Sequence, residues 1–183
     1  MEWPPAAYSP RTHMIYSHAR YSPSNIGLLD TPAVAAAAAT GSVYKVLAAG
    51  GLQFLSTPGV EHGVYGAVNT VTGNVAWTIP VLTSAPDSGV SVAGDLVFFG
   101  DSAGIFYAAS AATGEILWVF DAATVPNAGG ATASAAVYEV NGVEYVVYGF
   151  GGNPGYSFEL GDAVIAFALP SATAAAAAKA KAK

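Results

Sequence analysis

The sequence predicts an all-β fold, and three observations carry that prediction. Short runs rich in β-branched and aromatic residues fill the chain from Ser42 to about residue 170. Turn residues separate them at Gly50-Gly51, Thr72-Gly73-Asn74, Ser102-Ala103-Gly104, Thr113-Gly114-Glu115 and Asn141-Gly142. An Asn-Gly pair between apolar runs is a strong hairpin signal, because the tight turn needs positive φ. Finally, hydrophobic residues make up 53% of the 183 residues and charged ones only 10%, a balance that drives packing and opposes disorder.

The elements follow in order. Residues 1–41 form a Pro- and Tyr-rich segment in which Thr12–Ala19 reads as a short strand. Pro4, Pro5, Pro10, Pro23 and Pro32 disfavour long central strands there, since Pro offers no ladder donor. The alanine run 33–39 reads as a loop or a single helical turn. Residues 42–170 read as antiparallel β, with "SVYKVLAAGGLQFLS" as the opening stretch. The tail 171–183, Ala with spaced Lys, reads as a low-complexity end.

Composition excludes some functions. Residues 1–170 carry three basic and twelve acidic side chains, so the body repels phosphate backbones and nucleic acid is not an expected partner. The longest apolar runs, such as 33–39 and 163–169, are too short to span a bilayer as a helix, and no signal-peptide pattern opens the chain. Cysteine is absent, which removes disulfides, thiolate nucleophiles and Cys-ligated zinc.

One pattern repeats. Ala67 and Ala108, Thr72 and Thr113, Gly73 and Gly114, and Trp77 and Trp118 are each 41 residues apart. "AAGGLQF" precedes the first copy and "VAGDLVFF" the second. A period near 40 residues built of short strands points to a propeller, whose blades are four-stranded sheets. Gly73 and Gly114 suit a turn at positive φ, and Trp77 and Trp118 offer flat faces to bury between blades.

The motif Ala-x-x-x-x-Thr-Gly-x-x-x-Trp resembles the tryptophan docking motif of the quinoprotein dehydrogenases. "SVAGDLVFFGDSAGIFYAASAATGEILWVFD", "GGATASAAVYEVNGVEYVVYGFGG", "GDAVIAFALP" and "MEWPPAAYSPRTHMIYSHA" are similar to late segments of that family, in family order. The resemblance implies the C-terminal portion of an alcohol- or methanol-dehydrogenase-type propeller dependent on pyrroloquinoline quinone (PQQ). Its fold would be a partial β-propeller of about three four-stranded antiparallel blades, in which the Trp of one blade stacks on the next. The family places its calcium ligands, catalytic base and vicinal disulfide upstream of anything matched here.

The resemblance therefore implies PQQ as cofactor but names no catalytic or metal residue in this chain. It places only Glu2 and Trp3 near a quinone, Glu2 at the cofactor rim and Trp3 facing the central funnel. A chain start whose Trp merely packs is the alternative. The family's periplasmic or extracellular location is implied with it. The sequence departs from the family pattern in five places. Asn69 and Ser110 stand where an Asp is usual, Ala135 replaces a Pro, and Glu2 precedes Trp3 where Asn or Asp is expected. Pro86-Asp87-Ser88 stands where a quinone-side Trp and two Gly belong.

The residues suggest no replacement site. His13, His18 and His62 lack a third ligand at a recognisable spacing, and Asp87, Asp95 and Asp101 lack a calcium-loop pattern. Asp95 and Asp101 fall at hairpin turns, where Asp is common for local reasons. Three blades cannot close a ring, so the expected partners are a chain supplying the missing blades or further copies of this one. Two functions stand side by side: a propeller portion that needs such a partner to catalyse, and a non-catalytic structural or binding module that self-assembles.

Overall fold

The computed structural model describes residues 4–21, 24–48, 50, 52–56, 62–81, 87–153 and 159–168. The chain divides into two units, 1–20 with 63–183, and 21–62.

The larger unit contains three antiparallel sheets. The first orders its strands β1 (Ala7–Ser9), β2 (Met14–Tyr21), β5 (His62–Asn69) and β6 (Val75–Val81). The second is a simple meander of β7 (Ser91–Ala93), β8 (Leu96–Gly100), β9 (Ile105–Ser110) and β10 (Ile116–Asp121). The third has three strands among the described residues, β11 (Ala136–Val140), β12 (Val143–Phe150) and β13 (Ala163–Ala168).

The middle sheet is covered on both faces. Val97 and Phe99 of β8 and Ala109 of β9 pack on Tyr16, Tyr65, Ala67 and Val81 of the first sheet. Phe98, Phe106 and Ala108 pack the other way, on Tyr148 and Phe150 of the third. This two-sided burial explains why "LVFF" and "IFYAA" are continuous apolar runs rather than alternating ones. The outer sheets alternate instead, as in β13, where Ala163, Ile165 and Phe167 are half-buried and Val164, Ala166 and Ala168 exposed.

Both Trp-bearing hairpins contain a β-bulge at the same repeat position. Ala67 pairs with Trp77 and Val68 with Val75, skipping Ala76. Ala108 pairs with Trp118 and Ala109 with Ile116, skipping Leu117. The extra residue shifts the pleat and sets which face the indole occupies. The motif Ala is thus the cross-strand partner of its own Trp, and its small side chain leaves room for the ring.

The smaller unit differs from the sequence expectation. Residues 33–39 were expected as a loop or one turn, yet α1 spans Pro32–Ala38. Thr31 caps it, its Oγ1 accepting from Val34 N at 3.2 Å, and Pro32 opens the first turn with its φ already helical. Within the expected opening strand, Val43–Ala48 forms the helix α2, and Ser42 Oγ accepts from Lys45 N. β4 (Leu52–Ser56) pairs with β3 (Ser24–Leu28) in a separate two-stranded sheet. The echo "AAGGLQF" is therefore not an inner strand of the first sheet. The inner strands are β2 and β5, and residues 22–61 fall between these two in the chain.

Candidate functional site

Glu2 and Trp3, the residues expected near a quinone, lie outside the described residues. What the structure describes is the seam between the first two sheets and the buried junction beside it.

The seam is built from the repeat. Trp77 Nε1 donates to Ala111 O at 3.1 Å, and Tyr16 OH donates to the same oxygen at 3.2 Å. The indole lies flat against Gly114. A Cβ on that glycine would stand 2.7 Å from the ring, and its φ is +75°. Glycine is required there twice, by backbone conformation and by contact. Tyr16 packs beside the indole with ring centroids 5.8 Å apart. The Trp of the first repeat therefore sits on the Thr-Gly turn of the second.

The turn itself is held by its side chains. Ser110 Oγ accepts from Thr113 N at 3.3 Å, and Thr113 Oγ1 accepts from Glu115 N at 3.3 Å. In the first repeat Asn69 Oδ1 accepts from Thr72 N at 3.0 Å and Thr72 Oγ1 from Asn74 N at 3.3 Å. An acceptor at this position caps the turn whether it is Asn, Ser or Asp, so both departures from the family's Asp preserve the turn.

Beside the seam is a buried polar junction. Ser88 is fully buried. Its Oγ accepts from Gly100 N at 3.0 Å and lies 2.9 Å from Ala133 O, and Tyr148 OH lies 2.8 Å from both Ser88 Oγ and Ala133 O. Tyr65 OH donates to Gly100 O at 2.6 Å and accepts from Ser88 N at 3.2 Å. One serine thus links groups of all three sheets. Asp101, next along, accepts from Ala103 N, Ile105 N and Tyr107 OH and so caps the β8–β9 hairpin. Burial raises the pKa of Tyr65, Tyr107 and Tyr148, and the Asp101 carboxylate adds to the shift at each. Burial, with the nearby Arg20 charge adding, lowers that of His18.

Asp87 and Ser88 stand where the family resemblance expects a quinone-side Trp and Gly. Both are buried, and Ser88 is committed to protein partners. Asp95 pairs with Arg11 at 3.1 Å on the surface. Among the described residues no group of three or more His, Asp and Glu stands close enough to hold a metal ion. An apolar groove of about 390 Å³ between the second and third sheets is lined by Leu96, Phe98, Phe106, Trp118 and Phe167. Trp118, 40% exposed, meets Phe167 edge-on at 5.0 Å and so makes no copy of the Trp77 seat. The sequence named Trp77, Gly114 and Ser88. It gave no sign of Tyr16, Tyr65, Tyr148 or Ala111 O, which converge only across sheets.

Stacked antiparallel sheets, joined by an indole seated on the next sheet's glycine turn, define a propeller. The chain belongs to the PQQ_2 family, described as outer membrane protein assembly factor BamB, which matches residues 29–164. Among curated relatives it is similar to the putative dehydrogenase XoxF of Paracoccus denitrificans, 30% identical over 86% of this chain and 25% of the relative. It is also similar to methanol dehydrogenase subunit 1 of Methylobacterium organophilum, 35% identical over 52% of this chain and 15% of the relative. The crystal structure of quinohemoprotein alcohol dehydrogenase from Comamonas testosteroni superposes with a TM-score of 0.66 and 25% identity, over 91% of this chain and 25% of that one. The chain thus spans about a quarter of the length of XoxF and of the Comamonas enzyme, and less of the methanol dehydrogenase subunit. No described helix is long and apolar enough to cross a membrane.

Proposed function

We propose that this chain is the C-terminal wall of a PQQ-dependent alcohol or sugar dehydrogenase-like propeller, completed by blades from a partner chain and not catalytic alone. The observation that carries the reading is the pairing of a quarter-length match with outer sheet faces fit for further sheets. The outward face of the third sheet presents Ala136, Tyr138, Val140, Tyr145, Val147 and Val164, in register across β11, β12 and β13. Val164 is 74% exposed. An apolar sheet face of this extent calls for a cover.

PQQ carries three carboxylates, and the buried junction of Ser88, Tyr65 and Tyr148 offers no cation to meet them. Ser88 is spent on backbone and phenol, and Arg11 is paired with Asp95 on the surface. We therefore derive no catalytic step in this chain; quinone and calcium would be held by the partner. The periplasmic or extracellular location of such enzymes is part of the same proposal.

The test is reconstitution with the product of the neighbouring upstream reading frame, PQQ and calcium. Dye-linked alcohol oxidation that needs both chains is expected. Equal activity from the upstream product alone would remove this chain from the enzyme. A closed homo-oligomer that takes up no PQQ would favour the second reading, a self-assembling structural module.

A further inference from the structure

Two strands stand at the edge of their sheets and occupy the same place in the repeat, β6 in the first sheet and β10 in the second. They treat that edge differently. β6 is blunted: Thr78 is exposed on it, and so is Pro80, which has no N–H to offer a neighbouring strand. The counterparts 41 residues on are Val119 and Asp121, and β10 carries no proline. Ile116, Leu117, Trp118 and Val119 are all exposed, between 37% and 54%.

The ladder gives the phase of the open edge. Trp118 pairs with Ala108 and Phe120 with Phe106, and Ala122 N continues the series by donating to Gly104 O at 3.1 Å. Antiparallel strands bond through every second pair, so Val119 turns its N–H and C=O away from β9. Among the described residues no strand lies beside them. The apolar groove of about 390 Å³ adjoins this edge, with Trp118 of β10 in its wall.

Charge brackets the strand. Glu115 precedes it and Asp121 ends it, both exposed, and Glu144 lines the groove with Glu139 paired across from it. No described cation pairs with any of the four. A second copy is a poor occupant. Two β10 strands pairing antiparallel about Trp118 would set Glu115 of one against Asp121 of the other, and like charges placed opposite repel.

We infer that β10 is a docking edge for an extended segment of another polypeptide, apolar at alternate positions and flanked by Lys or Arg. The segment adds a strand to the second sheet, bonding the N–H and C=O of Val119. Its apolar side chains lie over the groove and its basic ends meet the carboxylates. The site is separate from the face offered to further sheets, because stacking covers faces and leaves this edge open. It does not depend on the PQQ reading.

The test titrates the whole chain into the fluorescein-labelled peptide Lys-Val-Thr-Val-Thr-Val-Lys and follows anisotropy. Saturable binding is expected, about tenfold tighter than that of Glu-Val-Thr-Val-Thr-Val-Glu at low salt. In the complex the Val119 amide should become protected from hydrogen exchange. Val119→Pro, which removes an N–H from the open side only, should abolish binding. The double variant Glu115→Lys, Glu144→Lys should bind the Glu-flanked peptide more tightly than the wild type does, a gain that misfolding cannot produce. Equal binding of the two peptides, a Val119 amide left unprotected at saturation, binding that survives Val119→Pro, or no gain in the double variant would each overturn the docking edge. Protection of Val119 that rises with chain concentration in the absence of peptide would overturn it in favour of a second copy.

Discussion

Ser88 Oγ accepts from Gly100 N inside a fully buried junction and lies 2.8 Å from Tyr148 OH, so removing it strands a buried donor and takes one partner from a buried phenol. Ser88→Ala should lower stability by about 1–3 kcal/mol, read as a lower denaturant midpoint at unchanged slope. At the seam, Trp77→Phe keeps most of the packing and loses the bond to Ala111 O, a loss of about 1 kcal/mol. Gly114→Ala should cost more than Trp77→Phe, because it adds strain at positive φ of about 1–2 kcal/mol to a steric conflict with the indole. The buried tyrosines set an alkaline limit. Tyr65, Tyr107 and Tyr148 have raised pKa values, so the unfolded chain loses protons first as pH climbs past about 10. Stability is therefore full below pH 10 and falls above it. A tyrosinate absorbance titration should show these three ionising together with unfolding. His18 sets the opposite limit: its pKa is lowered, so stability should decline as pH falls below about 6.5, and His18→Gln should flatten that decline.

At the scale of elements, the bulges and the edge pairs matter. Deleting Ala76, the residue skipped opposite Val68 and Ala67, would remove a pleat step and turn Trp77 away from Gly114. Its fluorescence should shift to the red and thermal unfolding should broaden. Glu139 and Glu144 face each other directly across β11 and β12. Like charges in that position repel, so Glu139→Lys should stabilise by about 0.5 kcal/mol, with the gain shrinking at high salt.

For the molecule as a whole, the distribution of apolar faces decides behaviour. The middle sheet spends both faces on its neighbours, while the third leaves an outward face without a charged residue among the described strands. The isolated chain should therefore associate in light scattering as concentration rises. A Val164→Glu and Tyr138→Glu double variant should stay dispersed and lose any partner-dependent activity. A wild-type chain that remains a stable monomer at high concentration would argue against both proposed functions.

Much of this was written locally. The Thr-Gly turns, the Asn141-Gly142 hairpin and the doubly apolar β8 and β9 are legible because turn chemistry and burial pattern act within a few residues of chain. Even the helix α1 carried its signal in Thr31-Pro32. The sequence by itself determined the all-β class, the 41-residue repeat and the pair Trp77 and Trp118 as docking candidates, of which the structure seats only Trp77 on a glycine turn. Only the tertiary structure decided that β2 pairs with β5 across residues 22–61 of chain, that Tyr16 shares Ala111 O with Trp77, and that Ser88 links three sheets. Those facts depend on pairing between segments tens of residues apart, where the free energy of contact is set by which sheets meet and not by any short stretch of residues.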